Sequence, residues 1–224
     1  MIYQDVAAEQ PDSNHENEAA NVHRKTQEYL STLGQNLASH QNLPKGMSIT
    51  IHYVNSDVVN AFATLGGHIF IHRGLLEKIP HENALAMVIA HEIAHIKYRD
   101  PILSASRGLT IGLALALLTG GADSPVAQQL PGNIAMLTAL SFSRGQEEKA
   151  DDEALETLVS YYGHVAGASA LFEVLQEEHG ASEPPVFLSS HPVTEARINN
   201  IRGYDKRYSV AVDLTPLPDF LAGK

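Results

Sequence analysis

Apolar residues follow two periods along this chain. From about Asn21 to Ala38 the positions Val22, Tyr29, Leu30, Leu33 and Leu37 recur at helical spacing, and Leu43-Pro44-Lys45-Gly46 stops the pattern, which predicts a first helix. Ser48 to Val54 alternates instead, with Ile49, Ile51 and Tyr53 on one face, as a half-buried strand does. Val58 to Ala63 and His68 to His72 are two further short apolar or β-branched runs, broken by Gly66-Gly67, so a small antiparallel meander is the simplest expectation. Leu75 and Leu76 turn the pattern helical until Pro80 breaks it. Ala84 to Tyr98 is apolar on nearly all sides, with Leu85, Met87, Val88, Ile89, Ile93 and Ile96, which predicts a helix at the centre of the fold. Asp100-Pro101 marks its end or a kink.

A second apolar helix is expected over Leu103 to Leu118. Its longest unbroken run, Leu109 to Leu118, is about half the ~20 residues needed to cross a bilayer, which favours burial in the protein over an interfacial segment. Thr119-Gly120-Gly121 through Pro131-Gly132 reads as a surface loop. Helices resume from about Asn133 through Ala154 to Tyr162, from Val165 to Glu178, and near Thr194 to Arg202 within a proline-rich tail. The architecture is therefore α+β, mostly helical, with a small three-stranded sheet. Residues 1–20 are acidic and polar and are expected to be flexible; residues 21–224 form one domain. Met1 to Val22 has no apolar run, so it is neither a signal peptide nor a spanning helix as written.

The net charge of −11, from 26 acidic against 15 basic residues, is the wrong sign for a groove that neutralises phosphates. Nucleic acid is therefore not expected as a partner. The absence of cysteine removes disulfides, thiol nucleophiles and thiolate metal sites, so any transition metal must be held by imidazole and carboxylate. Of the twelve histidines, His15, His23, His40, His52, His81, His164 and His179 sit among polar or loop-like neighbours and are expected to be solvated.

Chemistry concentrates in His91-Glu92-Ile93-Ala94-His95. Helix positions four apart differ by about 40°, so the two imidazoles leave one face, one turn apart, as two metal ligands do. Glu92 is rotated by about 100° from His91, too far to join both rings as a ligand but well placed to reach a metal-held water as general base. The pattern also arises by chance in solvated helices. Here, two imidazoles and a carboxylate among Ile89, Ile93 and Ile96 would cost several kcal/mol unless something satisfied them, which favours zinc.

A catalytic zinc takes three protein ligands and leaves a fourth position open. The third is sought in Ser143 to Asp152. Measured from Glu147, Ala150, Ala154 and Leu158 lie within roughly 60° and Asp151 about 40° away, so Glu147 and Asp151 face the core while Glu148 and Asp152 face solvent. Zinc answers Glu147, and the far N–H of a ligand histidine answers Asp151 and fixes that ring's tautomer. The bland alternative is an acidic helix face paired with Arg144 or Lys149.

Several motifs in order carry a resemblance: Asn60-Ala61-Phe62-Ala63, Gly66-Gly67-His68-Ile69-Phe70, the helix with His91 to His95, Ser143-Arg144, Glu147 with Ala150-Asp151, and Ser190-His191-Pro192 with Arg197-Ile198. Over roughly Ile49 to Ile201 the chain resembles the HtpX and CAAX prenyl endopeptidase family, metallopeptidase family 48, of gluzincin type. The resemblance implies a zincin-like fold around a central zinc-binding helix, and one Zn2+ per chain on His91, His95 and Glu147. It implies Glu92 as catalytic base and Asp151 behind the ligands. It also implies His191 at the cleft as an oxyanion stabiliser, and the strand around His68 to Ile71 as the edge that binds polypeptide in extended form, with Asn60, Ala61, Phe62, Gly67, His68 and Ile69 as substrate contacts. Arg197 is expected as a structural ion-pair partner.

Asp100 stands where many relatives carry a basic residue or histidine, and Lys149 where they carry an acidic or polar one; neither is expected to touch a ligand. Spanning helices of the integral-membrane branch have no counterpart here. The resemblance therefore implies the soluble, often periplasmic bacterial branch, membrane-associated at most through Leu109 to Leu118, with its targeting segment absent and a cytoplasmic location still open. The expected activity is endopeptidase cleavage of extended or unfolded polypeptides in protein quality control, with no oligomeric state implied. Two other classes stay open. One is a chaperone-like or self-inhibited module whose site is closed by a fourth ligand from the Gly120 to Gly132 loop or the His191 region; the other is a structural zinc domain with four protein ligands.

Overall fold

Helix α1 runs Ser13–Ser39 in the computed structural model, which describes residues 13–104, 106, 142–178, 185–208 and 212–222. It begins eight positions before the apolar period does, because residues 17–20 are exposed and have no stripe to read. Leu30, Leu33 and Leu37 form its buried face. Strands β1 (Thr50–Val54), β2 (Ala61–Ala63) and β3 (His68–His72) follow. Their order is β1-β3-β2, with β1 parallel to β3 (Thr50 opposite His68) and β2 antiparallel to it (Ala61 opposite Ile71).

The sheet is thus mixed, which corrects the antiparallel meander. After β1 the chain crosses the end of β3 and returns along its far side. The crossing passes over the short helix α2 (Arg73–Leu76), where Gly74 N–H donates to Ser56 O at 3.0 Å. A Cβ on Gly74 would lie 2.1 Å from Asp57 O, so only glycine admits the chain there. Alternation along a strand reports which face is buried and says nothing of its neighbour.

β3 is consequently the central strand, and the edge expected around His68 to Ile71 belongs instead to β2. His72 N–H donates to Asn60 O and Thr64 N–H to His68 O, so Asn60, Phe62 and Thr64 are the residues that pair with β3. By the alternation of an antiparallel ladder, the N–H and C=O groups of Ala61 and Ala63 point outward along the free edge. Ile51, Ala61, Ala63, Ile69 and Ile71 form the buried inner face.

Helix α3 (Glu82–Lys97) is buried from Asn83 to Ile96, as the all-round apolar pattern predicts. His81, expected to be solvated, caps it by accepting from Ala84 N–H. His164 is likewise buried, at 9% exposure. Past Tyr98 the chain takes a left-handed step at Arg99 (φ 60°) into a further helical turn over 100–104. Helix α4 (Arg144–Tyr162) starts in a capping box between Ser143 and Gln146, stops at Gly163, and packs along α3. Then come α5 (Ala170–Glu178), α6 (Val186–Ser190), α7 (Glu195–Tyr208) and α8 (Asp219–Ala222). The chain is α+β. No helix among the described residues is long and apolar enough to cross a membrane. The apolar run Leu109 to Leu118, the expected loop Gly120 to Gly132, residues 1–12 and His179 lie outside the described residues.

Candidate metal centre

Helix α3 presents His91 and His95 from one face with their rings nearly perpendicular, and their Nε2 atoms are 3.0 Å apart. The first turn of α4 brings Glu147 against them, Oε1 3.3 Å from His95 Nε2 and Oε2 3.4 Å from His91 Nε2. His191, at the end of α6, places Nδ1 3.3 Å from His91 Nε2 and 3.1 Å from Glu147 Oε1. One donor atom from each of the four lies within 4.8 Å of the others, and all four residues are buried. A tetrahedral ion bound at about 2.0–2.1 Å sets its donors about 3.3–3.4 Å apart. The cage fits a small divalent ion with imidazole and carboxylate ligands.

His191 therefore sits inside the cage, fully buried, rather than at an open cleft. Its other nitrogen, Nε2, lies 3.2 Å from Glu92 Oε1. Neither Glu92 oxygen has a hydrogen bond of good geometry, and the residue is wholly buried. Burial pushes the Glu92 carboxyl above its usual range, against the pull of His191 and His91. A carboxyl so placed takes and returns a proton nearer neutral pH than a solvated one does.

The far side of each ring is also held. His91 Nδ1 lies 2.9 Å from Asp151 Oδ1, and His95 Nδ1 lies 2.8 Å from Asp100 Oδ2. Protons kept on Nδ1 leave both Nε2 lone pairs facing the cage. Burial alone would lower the His91 pKa, but Asp151 and Glu147 together lift it to about 10. Burial would raise Glu147 too, yet His191 and His91 hold it far below the usual carboxylate range. A divalent ion held by these residues would take the place of those protons.

The contact to Asp100 corrects the expectation that this residue touches no ligand. Its other oxygen accepts from Gln146 Nε2 at 2.6 Å, and the Gln146 carbonyl belongs to the capping box that starts α4. The start of the Glu147 helix is thereby tied to the end of the histidine helix. No pattern announced this, because Asp100-Pro101 reads as a helix terminator; the left-handed step at Arg99 turns the carboxylate back onto His95. Lys149 touches no ligand and lies over the Tyr98 ring at 3.5 Å.

Arg197 on α7 compensates the two buried acids, in place of the Arg144 or Lys149 pairing. Its Nε and Nη2 donate to Asp151 at 2.6 and 2.8 Å, and its Nη1 lies 2.6 Å from Glu147 Oε2. The same Nη1 donates to Pro192 O at 2.9 Å, next to His191. Glu148 is exposed, and Asp152 accepts from Asn200 at 2.7 Å.

The expected substrate contacts divide. Ala61 and Ala63 lie on the free edge, and β2 packs against helix α3, so this edge borders the catalytic helix. Phe62 and Asn60 share that strand end but direct their backbones to β3. Gly67 has φ 84° with Ser48 O where a Cβ would go, His68 lies on the outer face with Nδ1 2.9 Å from His52 Nε2, and Ile69 is core. These last three offer no free backbone edge.

An H-E-x-x-H helix buried in an α+β fold, with a carboxylate from a second helix closing on its imidazoles, defines a metallopeptidase. The profile of Peptidase family M48 matches residues 24–205, and the chain belongs to that family. It is 30% identical over 187 residues to the beta-barrel assembly-enhancing protease of Escherichia coli (strain K12), covering 78% of this chain and 38% of that protein. It is 30% identical over 156 residues to the mitochondrial metalloendopeptidase OMA1 of Schizosaccharomyces pombe, 67% of this chain and 45% of the other. It is 28% identical over 219 residues to a protease HtpX homolog of Burkholderia cenocepacia, 80% and 75% respectively. The chain thus spans less than half the length of the first two relatives.

Proposed function

We propose that the chain is a zinc endopeptidase acting on extended or unfolded polypeptides. The observation that carries it is the buried cage of His91, His95 and Glu147, with the buried Glu92 carboxyl beside it and β2 packed against the same helix. Two imidazoles and one carboxylate in a tetrahedral arrangement suit zinc, whereas magnesium and calcium take oxygen ligands. Zinc held there supplies Lewis acidity, polarising a carbonyl and lowering the pKa of a water from ~16 toward ~7. Glu92 takes the proton of the attacking water and returns it to the leaving amine. Ala61 and Ala63 hold the substrate backbone as an added strand, which gives affinity with little sequence choice. Asp151 and Asp100 keep both rings in the ligating tautomer. Likeness to relatives named for β-barrel assembly supports a quality-control role, in a bacterial periplasm or at a membrane surface.

His191 supports a second reading of the resting state. Its Nδ1 would serve as a further ligand and its Nε2 lies 3.2 Å from Glu92 Oε1, so in this reading the ring closes the site until substrate displaces it. One experiment tests both readings with casein and measured zinc content. Glu92→Gln should retain zinc and lose at least about a hundredfold in cleavage; retained cleavage ends the assignment. His191→Ala should retain zinc and cleave at least as fast as the wild type if the ring is a plug, and lose at least about tenfold if it is an oxyanion donor.

A further inference from the structure

One cavity beside the catalytic helix takes no part in the chemistry above. It encloses about 290 Å³ between the β2–β3 turn and the end of α3. Met47, Leu65, Ile96 and Ile102 form its apolar wall, and Lys45 and Arg99 stand in its lining. That volume, at the lower limit of small-molecule pockets, suits one or two side chains.

Its placement ties it to the active site at three points. Ile96 follows the ligand His95. Arg99 precedes Asp100, which holds His95, and Arg99 is fixed in a left-handed conformation at φ 60°. Such strained backbone at a non-glycine residue gathers at functional sites. Thr64 and Leu65, also in the lining, continue the chain directly from Ala63 at the end of β2, which packs against the helix that carries Glu92. An extended chain advances about 3.3 Å per residue, so a strand added along β2 reaches the cavity within one to three residues of the bond under attack.

Charge selects the occupant. The protein as a whole carries −11, yet this wall presents two cations, and neither makes an ion pair among the described residues. We infer that Lys45 and Arg99 form a substrate subsite for a carboxylate, so that the enzyme favours polypeptides with an acidic residue within three positions of the scissile bond. This inference rests on the endopeptidase reading. The apolar wall accommodates the side-chain methylenes, and the two cations meet the carboxylate at its mouth.

The test uses the zinc-loaded protein and fluorogenic peptides that differ only in placing Glu, Gln or Lys at each of the three positions on either side of the cleaved bond. All peptides end in a C-terminal amide, and free-acid copies distinguish a side-chain carboxylate from a chain terminus. At one position Glu should exceed Gln by roughly three- to tenfold in kcat/KM, and the ratio should shrink with added salt. In Lys45→Glu/Arg99→Glu the ratio should fall to one or below, with Lys now preferred over Gln. Lys25→Glu, an exposed change on α1, should leave the wild-type ratio intact. Equal rates for Glu and Gln at every position, a preference that survives the double reversal, or a preference confined to free-acid peptides would overturn the subsite. If no peptide is cleaved, the endopeptidase reading fails by itself. Anisotropy with the same peptides on zinc-loaded Glu92→Gln then decides the subsite, since equal binding of Glu and Gln peptides refutes it.

Discussion

Replacing Asp100 by asparagine probes the least anticipated part of the centre. Asp100 is 3% exposed and both its oxygens accept, one from His95 Nδ1 at 2.8 Å and the other from Gln146 Nε2 at 2.6 Å. Asparagine keeps the shape but offers one oxygen and one NH2, so one of these two donors must face a donor. Gln146 cannot turn over to relieve the conflict, because its Oε1 already accepts from Ser143 N–H at 3.0 Å and Oγ at 2.9 Å. If the asparagine NH2 faces His95, the ring is driven to the tautomer with its proton on Nε2, inside the cage. The lost hydrogen bond to a charged acceptor is worth about 1.5–3 kcal/mol, and each 1.4 kcal/mol is tenfold in affinity. Zinc affinity should therefore fall by about 10- to 100-fold, the range found for groups that orient metal-bound histidines. Chelator competition measures the affinity, the cobalt-substituted absorption spectrum reports ligand geometry, and circular dichroism verifies the fold. Zinc affinity within twofold of wild type in a folded Asp100→Asn protein would refute the positioning role.

Arg197→Ala leaves Glu147 and Asp151 buried without their cation and should destabilise the metal-free protein by about 3–5 kcal/mol in urea. Arg197→Lys should recover only part of this, since an ammonium cannot make the forked contact to Asp151; a loss under about 1 kcal/mol for alanine would contradict the assignment. Gly67→Ala sets a methyl 2.0 Å from Ser48 O at a residue with φ 84°, and should cost more than about 2 kcal/mol in a thermal melt. A melting temperature equal to wild type would place the turn elsewhere. Tyr29 and Tyr162 both donate to Glu82, at 2.7 and 2.8 Å, and burial followed by that carboxylate raises their pKa values well above the ordinary value of about 10. Above about pH 10 the unfolded chain loses protons that the folded chain keeps, so stability present below that pH declines as pH climbs. Tyr29→Phe/Tyr162→Phe should flatten this alkaline decline in denaturant midpoints, and an unchanged slope would count against it.

Local order in this protein is written in its local pattern. The apolar sweep from Leu85 to Ile96 predicts a buried central helix, His91 and His95 four positions apart predict two rings on one face, and the phase of Glu147 and Asp151 predicts two inward carboxylates. All of these depend on helix periodicity and on the cost of burying polar groups, which a single segment already displays. What depends on how segments meet was not legible. Alternation in the three strands identified their buried faces, but the crossover at Gly74 made β3 central and left β2 as the edge. The left-handed Arg99 swung Asp100 onto His95, and the placement of α7 gave Arg197, expected as an ion-pair partner, its two acids far from it in sequence. The position of His191 in the cage likewise follows from the packing of α6, which no nearby residue specifies. Periodicity within a segment is set by backbone geometry that every residue shares; contacts between segments are set by which buried faces and charges find each other, and those pairings exist only once the chain has folded.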